Sequence, residues 1–199
     1  MTSLQSRGRA PATTPPDDAI IPERHPAAPA PGEPIDSHYE QCFGCGVRHP
    51  TGLHLVVTAG QGLTVHGEFR VSEHHQGAPG LAHGGLLTTA FDEVLGSLNW
   101  LLRMPSVTGR LEVDFRRPVP VDSVLHLEAE IIGQAGRKVY TRGVGRLNSV
   151  DGPVALTAAA LFVQVDLAHF RDNGRQEDLE AAVRTGQVKG ALERLELNP

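Results

Sequence analysis

The stretch GLAHGGLLTTAFDEVLG, from Gly80 to Gly96, decides the fold of this 199-residue chain. It contains two adjacent glycines, Gly84 and Gly85, which are poor helix formers. After them, apolar residues follow at helical spacing, and this spacing continues to about Arg103. The members of the apolar stripe are Leu87, Phe91, Val94, Leu98 and Leu101. The pattern predicts one long helix whose apolar side packs against a sheet.

Strand-length runs lie on both sides of this helix. LHLVV and LTVHGEFRV precede it, and four runs follow it, the first being VTGRLEVDFRRPV, in which apolar and polar residues alternate. Turn signals such as GQAG and NSVDG separate the later runs. About six antiparallel strands and one long helix predict a two-layer α+β domain, in which one sheet curls around the helix.

The two ends of the chain differ from this middle part. Residues 1–37 are rich in Pro, Ala and small polar residues and have little to bury, so we expect a disordered or extended tail. Residues 38–168 form the predicted domain. Residues 169–199 are predicted to add a helical extension, as one broken helix or as two short ones, because Gly186 and Gly190 interrupt its spacing.

Composition argues against several classes of protein. A net charge of −5 without a basic run disfavours nucleic-acid binding. No apolar run approaches the roughly 20 residues of a membrane helix, and the N-terminal stretch lacks the apolar core of a secretory signal. Two cysteines do not make a disulfide framework. We therefore expect a cytoplasmic protein that contacts neither nucleic acid nor membrane.

The glycines at the predicted helix start suggest a catalytic use. Amide N–H groups in the first helical turn have no partner within the helix, and Gly84 and Gly85 would let a substrate oxygen approach them. Together with the helix dipole, a good donor there stabilises developing negative charge by about 3–4 kcal/mol. The alternative is that the glycines only make a tight turn into the helix.

Asp92 lies on another side of the helix, in line with Thr88, Gly96 and Asn99, where a ligand, a second chain or solvent can reach it. At about 1.5 Å per residue, Gly84 and Asp92 are about 12 Å apart. A base must lie within about 3 Å of the water that it activates. Two antiparallel copies of the helix would bring Gly84 of one chain close to Asp92 of the other. If both groups are catalytic, the protein must be at least a dimer.

These elements and motifs resemble a known family. Their order resembles the hotdog fold, and HGGLLTTAFDE is similar to the matching segment of PaaI-like acyl-CoA thioesterases, which are related to the THEM-type thioesterases. CFGCGVRHPTGLHL and HHQGAPGLAHGG are similar to segments of actinobacterial and animal members. The resemblance covers roughly residues 40–167. It implies a thioester hydrolase that converts an acyl-CoA to a free acid and CoA, without a metal or redox cofactor, as a homodimer or a dimer of dimers.

The resemblance also implies roles for single residues. Asp92 would activate water or attack the thioester carbon, and the Gly84 amide would polarise the carbonyl group. His83 would fix the turn or touch the thioester. Thr108, which opens the strand after the helix, would orient the water or the acid.

Further residues are assigned to the site around these four. Some relatives have an Asn six residues before the histidine, where this chain has a glycine, so Gln76 is the candidate to supply that amide. The candidates for substrate binding are Gly85, His75, Gly77, Glu93, Arg137 and Lys138. Within this set, Glu93 is also the alternative helix acid. The two cations at the GQAG turn would meet CoA phosphates, or else are ordinary exposed strand residues.

The segment HYEQCFGCGVRH raises the question of a metal. His38, Cys42, Cys45 and His49 are residue types that bind Zn²⁺, and the two cysteines have a suitable spacing. The two histidines lie very close in sequence for one closed site, so we expect a compact loop over the sheet edge or substrate tunnel, with no metal. A redox pair is disfavoured because no βαβ unit surrounds it.

Two other functions fit parts of this pattern. A non-catalytic acyl-CoA-binding hotdog protein is the first alternative. A hotdog dehydratase or hydratase is the second, and it is disfavoured because the HGG register does not supply the His–acid pair that those enzymes use.

Overall fold

The computed structural model describes residues 12–184, except for the side chains of Leu167 and of residues 181–184. The strands are β1 (Pro34–Ile35), β2 (Val56–Ala59), β3 (Thr64–Arg70), β4 (Gln76–Ala78), β5 (Leu81–Ala82), β6 (Ser106–Phe115), β7 (Val124–Ala135), β8 (Lys138–Leu147) and β9 (Val154–Gln164). The helices are α1 (Gly84–Ser97), α2 (Asn99–Leu102), α3 (Leu167–Asn173) and α4 (Gln176–Arg184), with a short 3-10 helix at Glu73–His75.

One antiparallel sheet dominates the molecule. Its seven strands lie in the order β1-β2-β3-β7-β8-β9-β6, and β4 and β5 form a separate hairpin before the helix. All six predicted strands are present, and the seventh is the two-residue β1, which the N-terminal segment adds beside β2. The predicted α+β hotdog architecture is confirmed.

The central helix packs on this sheet with the predicted stripe. All five of its members are at most 4% exposed. The sheet comes close to the helix at glycines: a Cβ at Gly143 would lie 3.2 Å from the ring of Phe91, and a Cβ at Gly67 would overlap the side chain of Val94. The helical run ends at Arg103, which takes the left-handed conformation at φ 53°. The middle of the helix therefore lies in close contact with bare backbone of the sheet.

The N-terminal segment lies on the domain. Over residues 12–37 it has turns and short extended stretches and no helix: Ile20 pairs with Gln134 of β7, and the Arg24 guanidinium donates to the carbonyl groups of Gly60 and Gly62 at 2.8 and 2.6 Å. Main-chain hydrogen bonds need no apolar side chains, which explains how a Pro- and Ala-rich segment is held. The predicted bounds of the tail and its two alternatives stay predictions, and residues 1–11 lie outside the described part.

The C-terminal segment continues as two short helices, α3 and α4, separated at Gly174. Gly186 and Gly190, at which an interruption was predicted, lie outside the described residues. Among the helices described, none combines the length and the apolar character needed to cross a membrane.

Candidate active site

The start of α1 leaves one backbone donor free. His83 is the N-cap, and its ring Nδ1 accepts a hydrogen bond from the Gly85 amide at 2.9 Å. The amides of Leu86 and Leu87 donate to the His83 carbonyl at 3.0 and 3.2 Å. Among the hydrogen bonds of the described residues, none is donated by the Gly84 amide. This N–H group is therefore the one in the first turn that can meet a substrate oxygen.

Phe115, the last residue of β6, lies against this helix start. A Cβ at Gly84 would be 3.4 Å from the Phe115 ring, and Phe115 itself is 54% exposed. The free Gly84 amide and the C-terminal end of β6 therefore lie next to each other.

Asp92 meets the other end of the same strand. The Thr108 hydroxyl donates a hydrogen bond to the Asp92 carboxylate, with 2.7 Å between Oγ1 and Oδ1. Such a bond holds a carboxylate in one orientation and leaves its second oxygen able to accept a proton. The structure therefore brings together the predicted acid and its predicted orienting residue.

A bulge in β6 makes this contact possible. Strict alternation would place Thr108 on the outer face of the sheet with Arg110 and Glu112. Instead, the register shifts between Thr108 and Arg110, so that Thr108 lies opposite Phe162, a buried residue of the inner face. Because the extra residue, Gly109, reverses the alternation, the Thr108 side chain faces the helix.

Within one chain, the two halves of the candidate site stay apart. Gly84 and Asp92 belong to the single helix α1, so about 12 Å of helix separates them. Each has a different partner on β6, Phe115 for the glycine and Thr108 for the acid, at opposite ends of that strand.

Gln76 and Gly77 support the cap from the neighbouring hairpin. Gln76 Oε1 accepts from the Gly80 amide at 2.7 Å, and its Nε2 donates to the Glu73 carbonyl at 3.1 Å. A Cβ at Gly77 would lie 2.7 Å from the His83 Cα, so only glycine lets the hairpin pack on the cap. The Gln76 side chain closes its own loop, and Gly77 contributes bare backbone.

His75, a candidate for substrate binding, is buried. It is 5% exposed, its ring packs edge-on against Phe69 at 5.8 Å, and its Nδ1 accepts from the Ser72 amide at 2.9 Å. Burial lowers the pKa of His75, because the charged imidazolium loses its water. The His75 ring therefore belongs to the core, and its assignment to substrate binding stays a prediction.

Arg137 and Lys138 lie exposed at the turn between β7 and β8. Val107 of β6 pairs with Val163, which in turn pairs with Lys138. Two strand spacings are about 10 Å, so this turn is at the same end of the sheet as Thr108. Their proposed contact with CoA phosphates stays a prediction.

Glu93 belongs to a different cluster from Asp92. Its carboxylate is 3.4 Å from Cys42 Sγ and 3.7 Å from His38 Nδ1, and its side chain is only 15% exposed. Successive helical residues point about 100° apart, which explains why the two acids face different surroundings. The assignment of Glu93 to substrate binding stays a prediction. His49 is not part of this cluster, since its ring packs on Phe43.

The sequence does not predict the surroundings of two residues near the candidate site, Phe115 and Glu93. Phe115 was identified as a strand residue but not as the neighbour of Gly84, and no local pattern links positions so far apart. The sequence predicts Glu93 as a substrate-binding residue and as the alternative helix acid, and not as a neighbour of the two cysteines. A signal for its second role was present in the CFGCG turn, whose cysteines require further ligands from elsewhere if they bind a metal.

Comparison with known proteins agrees with this fold. Residues 79–146 match the family model described as the thioesterase superfamily. An acyl-coenzyme A thioesterase THEM4 from Bos taurus is 34% identical over 99 residues, which are 49% of this chain and 40% of that protein. The Xenopus laevis THEM4 is 30% identical over 97 residues, covering 49% of this chain and 43% of that protein. The chain thus spans less than half the length of the curated relatives it matches.

Solved structures give the same result. A crystal structure of a thioesterase superfamily protein is 26% identical and has a TM-score of 0.57, with 69% of this chain and 70% of that chain covered. Zebrafish thioesterase superfamily member 2 shares the fold at 16% identity, with a TM-score of 0.54 over 64% of this chain and 95% of that chain. The resemblance to hotdog thioesterases is confirmed.

Proposed function

We propose that this chain is an acyl-CoA thioesterase whose active site is shared between two copies. The matched family segment contains Gly84, Asp92 and Thr108, and the similar THEM4 proteins are named acyl-coenzyme A thioesterases. A free helix-start amide and an oriented carboxylate are the two groups that water attack on a thioester needs.

The open edge of β6 carries the proposal. β6 has ten residues and lies at one end of the seven-stranded sheet, with β9 as its only neighbour among the described strands. A long strand edge with unpaired amides and carbonyl groups is a template for a second strand. Antiparallel pairing with β6 of another copy, about a two-fold axis, would continue the sheet.

This pairing would also complete the site. With the axis near Leu111 and Glu112, Thr108 of one copy lies opposite Phe115 of the other. Thr108 holds Asp92, and Phe115 lies against Gly84. The Asp92 carboxylate of each copy is then next to the free Gly84 amide of the other copy. The separation of about 12 Å between these two residues along one helix therefore does not prevent them from acting on one substrate.

The reaction follows from these two groups. The Gly84 amide donates to the thioester oxygen and stabilises the charge that develops on it. Asp92, oriented by Thr108, accepts a proton from water, and the water oxygen bonds to the thioester carbon. The C–S bond then breaks, and the sulfur leaves as CoA thiol with that proton. In the alternative, an Asp92 oxygen bonds to the carbon while the C–S bond breaks and CoA leaves as its thiolate. Water then opens the anhydride, which gives the free acid and restores the Asp92 carboxylate, and the proton released converts the thiolate to CoA thiol.

Lys138 and Arg137 support CoA as the leaving group. They add positive charge at the Thr108 end of the sheet, where a substrate that reaches Asp92 would place its phosphates. A cytoplasmic location and assembly as a homodimer or a dimer of dimers remain parts of the proposal. Cys42 and Cys45 are both free thiols, as a reducing compartment would keep them.

Mixing two inactive variants tests the shared site. Gly84→Pro deletes the amide donor at the first helical position, where proline is well tolerated, and His83 already has the extended conformation that precedes proline. Asp92→Asn removes the base. Each variant alone should be inactive, whereas dimers unfolded and reassembled from an equal mixture should regain about one quarter of the activity, since half of them have one intact site.

Gly84→Ala is the matched control, because it keeps the amide and adds a Cβ at an ordinary contact distance from Phe115. It should lose far less activity than Gly84→Pro. Verified heterodimers without recovered activity would contradict the shared site. Binding of acyl-CoA without release of a free thiol would favour the non-catalytic alternative.

A further inference from the structure

Four metal-binding side chains converge beside α1, away from Asp92. Three come from the loop that contains the CFGCG turn, His38, Cys42 and Cys45, and the fourth is Glu93 of α1. Their ligand atoms all lie within 4.8 Å of one another. We propose that these four residues bind one zinc ion in a tetrahedral site.

The distances suit such an ion. Zn–N and Zn–O bonds of about 2.0–2.2 Å and Zn–S bonds of about 2.3 Å place the ligands of a tetrahedral ion roughly 3.3–3.8 Å apart. Cys42 Sγ is 3.4 Å from the Glu93 carboxylate, Cys45 Sγ is 3.4 Å from His38 Nδ1, and His38 Nδ1 is 3.7 Å from the carboxylate. The two distances to Glu93 end on different carboxylate oxygens, so whichever oxygen binds, two pairs of ligand atoms already have the spacing of a coordinated ion.

The loop is shaped for this convergence. A Cβ at Gly44 would collide with the Glu93 carboxylate, and a Cβ at Gly46 would come within 2.5 Å of the Cys42 amide nitrogen. The Gly46 amide donates to the Cys42 carbonyl at 2.8 Å, which closes the turn between the two cysteines. Both glycines of CFGCG are thus explained by the cluster: one admits the carboxylate, and the other lets the loop close.

The ligand chemistry favours zinc over harder cations. Two thiolates and an imidazole are soft and borderline ligands, whereas Mg²⁺ and Ca²⁺ prefer sites built from oxygen. A dication would also compensate the charge of the two thiolates and the carboxylate.

A zinc ion here would link the N-terminal loop to the helix that carries the proposed base. Glu93 follows Asp92 directly, so a metal on Glu93 fixes the rotation of α1 at the point where Asp92 meets Thr108. Four protein ligands leave no open position for substrate, which is typical of a structural site. This inference does not rest on the proposed thioesterase activity.

Metal titration of the full chain tests the site directly. The chain, freed of any affinity tag and reduced, is stripped with a chelator and titrated with zinc chloride and, separately, with cobalt chloride. We expect one ion per chain. Bound Co²⁺ should give a sulfur-to-cobalt charge-transfer band and the intense visible bands of a tetrahedral ion. Both signatures come from the unaltered chain, so they do not depend on whether a variant folds.

Variants then identify the ligands. Loss of a residue that only supports a ligand lowers metal affinity by about 10- to 100-fold, so Cys42→Ser and Cys45→Ser should each cost about 100-fold or more. Glu93→Gln should also weaken binding and leave the charge-transfer band in place. His49→Asn is the control, since His49 is close in sequence but outside the cluster, and its affinity should match that of the unaltered chain.

Three results would overturn the proposal. The reduced chain binds no zinc more tightly than free cysteine does, or Co²⁺ binds without the sulfur band, or Cys42→Ser and His49→Asn bind equally well. If Cys42 and Cys45 form a disulfide on isolation and the reduced chain still binds no zinc, the pair is a redox site instead.

Discussion

The Thr108 hydroxyl donates a 2.7 Å hydrogen bond to the Asp92 carboxylate, and this bond ties the edge strand β6 to the central helix. The contact exists because the bulge at Gly109 turns Thr108 toward the helix. It therefore couples the position of the proposed base to the strand through which a second copy would bind.

The orienting role of Thr108 predicts different results for two substitutions. Thr108→Val removes the hydroxyl, and a hydrogen bond to a charged group is worth about 1.5–3 kcal/mol, so kcat should fall by about 10- to 100-fold with little change in KM. Thr108→Ser keeps the hydroxyl and should restore most of kcat. Steady-state assays of CoA release measure both. Equal losses for Val and Ser would mean that packing, and not the hydrogen bond, is what matters.

The role of Asp92 as base predicts a larger loss. Asp92→Asn keeps the shape and the hydrogen bond from Thr108 but cannot take a proton, and general-base catalysis contributes about 10²- to 10⁴-fold. We expect a loss of that size in kcat, with thermal stability unchanged. Asp122→Asn is the control, because Asp122 is exposed and has a φ of 68°, a conformation that Asn adopts readily. Activity that survives in Asp92→Asn would exclude the proposed mechanism.

His83 tests whether the residue caps the helix or touches the thioester. Loss of an N-cap costs about 0.5–2 kcal/mol, so His83→Ala should lower the free energy of unfolding by that amount, whereas His83→Asn, a good cap, should be close to the unaltered chain. Urea unfolding measures the difference. If His83→Asn is as stable as the unaltered chain but loses kcat, the ring acts on the substrate as well.

The core of this fold follows local patterns, which is why the sequence predicts it well. The spacing of Leu87, Phe91 and Val94 indicates one face of a helix, and the alternation of apolar and polar residues indicates each strand. Such signals need only neighbours along the chain. The predicted helix start is also local, since the His83 cap and the Gly84 amide are adjacent residues.

The features that the sequence missed depend on contacts between distant residues. Alternation alone would put Thr108 on the outer face, and only the pairing of β6 with β9 reveals the bulge. Cys42 and Glu93 are 51 positions apart, so no spacing rule connects them. The burial of His75 also depends on a tertiary contact, the packing of Phe69 against its ring, which no local pattern shows.

The close approach of sheet and helix predicts a stability effect with a specific rescue. A methyl group at Gly67 would overlap Val94, so Gly67→Ala should lower the free energy of unfolding by about 1–3 kcal/mol through overpacking. In a Val94→Ala background the same methyl group has room, and its cost should shrink or change sign. A double-mutant cycle measured by urea unfolding gives this coupling. Additive effects would contradict the close approach of the two residues.

Burial of His75 predicts a stability loss in acid. Because burial lowers the pKa of this histidine below that of an unfolded chain, the unfolded state takes up a proton more readily than the folded state. The stabilisation that comes from keeping His75 neutral is fully present above the pKa of histidine in the unfolded chain, about 6.5. It is lost as the pH falls through the lower pKa that His75 has in the folded chain. His54 and His74 add repulsion in the same direction. The free energy of unfolding should therefore drop between about pH 8 and pH 5.5.

Comparing two variants separates His75 from the other titrating groups. His75→Gln keeps an acceptor for the Ser72 amide, so it should be less stable at high pH but should lose less on acidification than the unaltered chain. His66→Gln, at an exposed position on β3 and not among the groups that shift the pKa of His75, should follow the unaltered chain closely. His75→Gln and the unaltered chain have all other titrating groups in common. Any difference between their slopes of unfolding free energy against pH therefore comes from position 75. If His75→Gln declines as steeply as the unaltered chain, the acid sensitivity arises elsewhere, and His75 is not kept neutral by its burial.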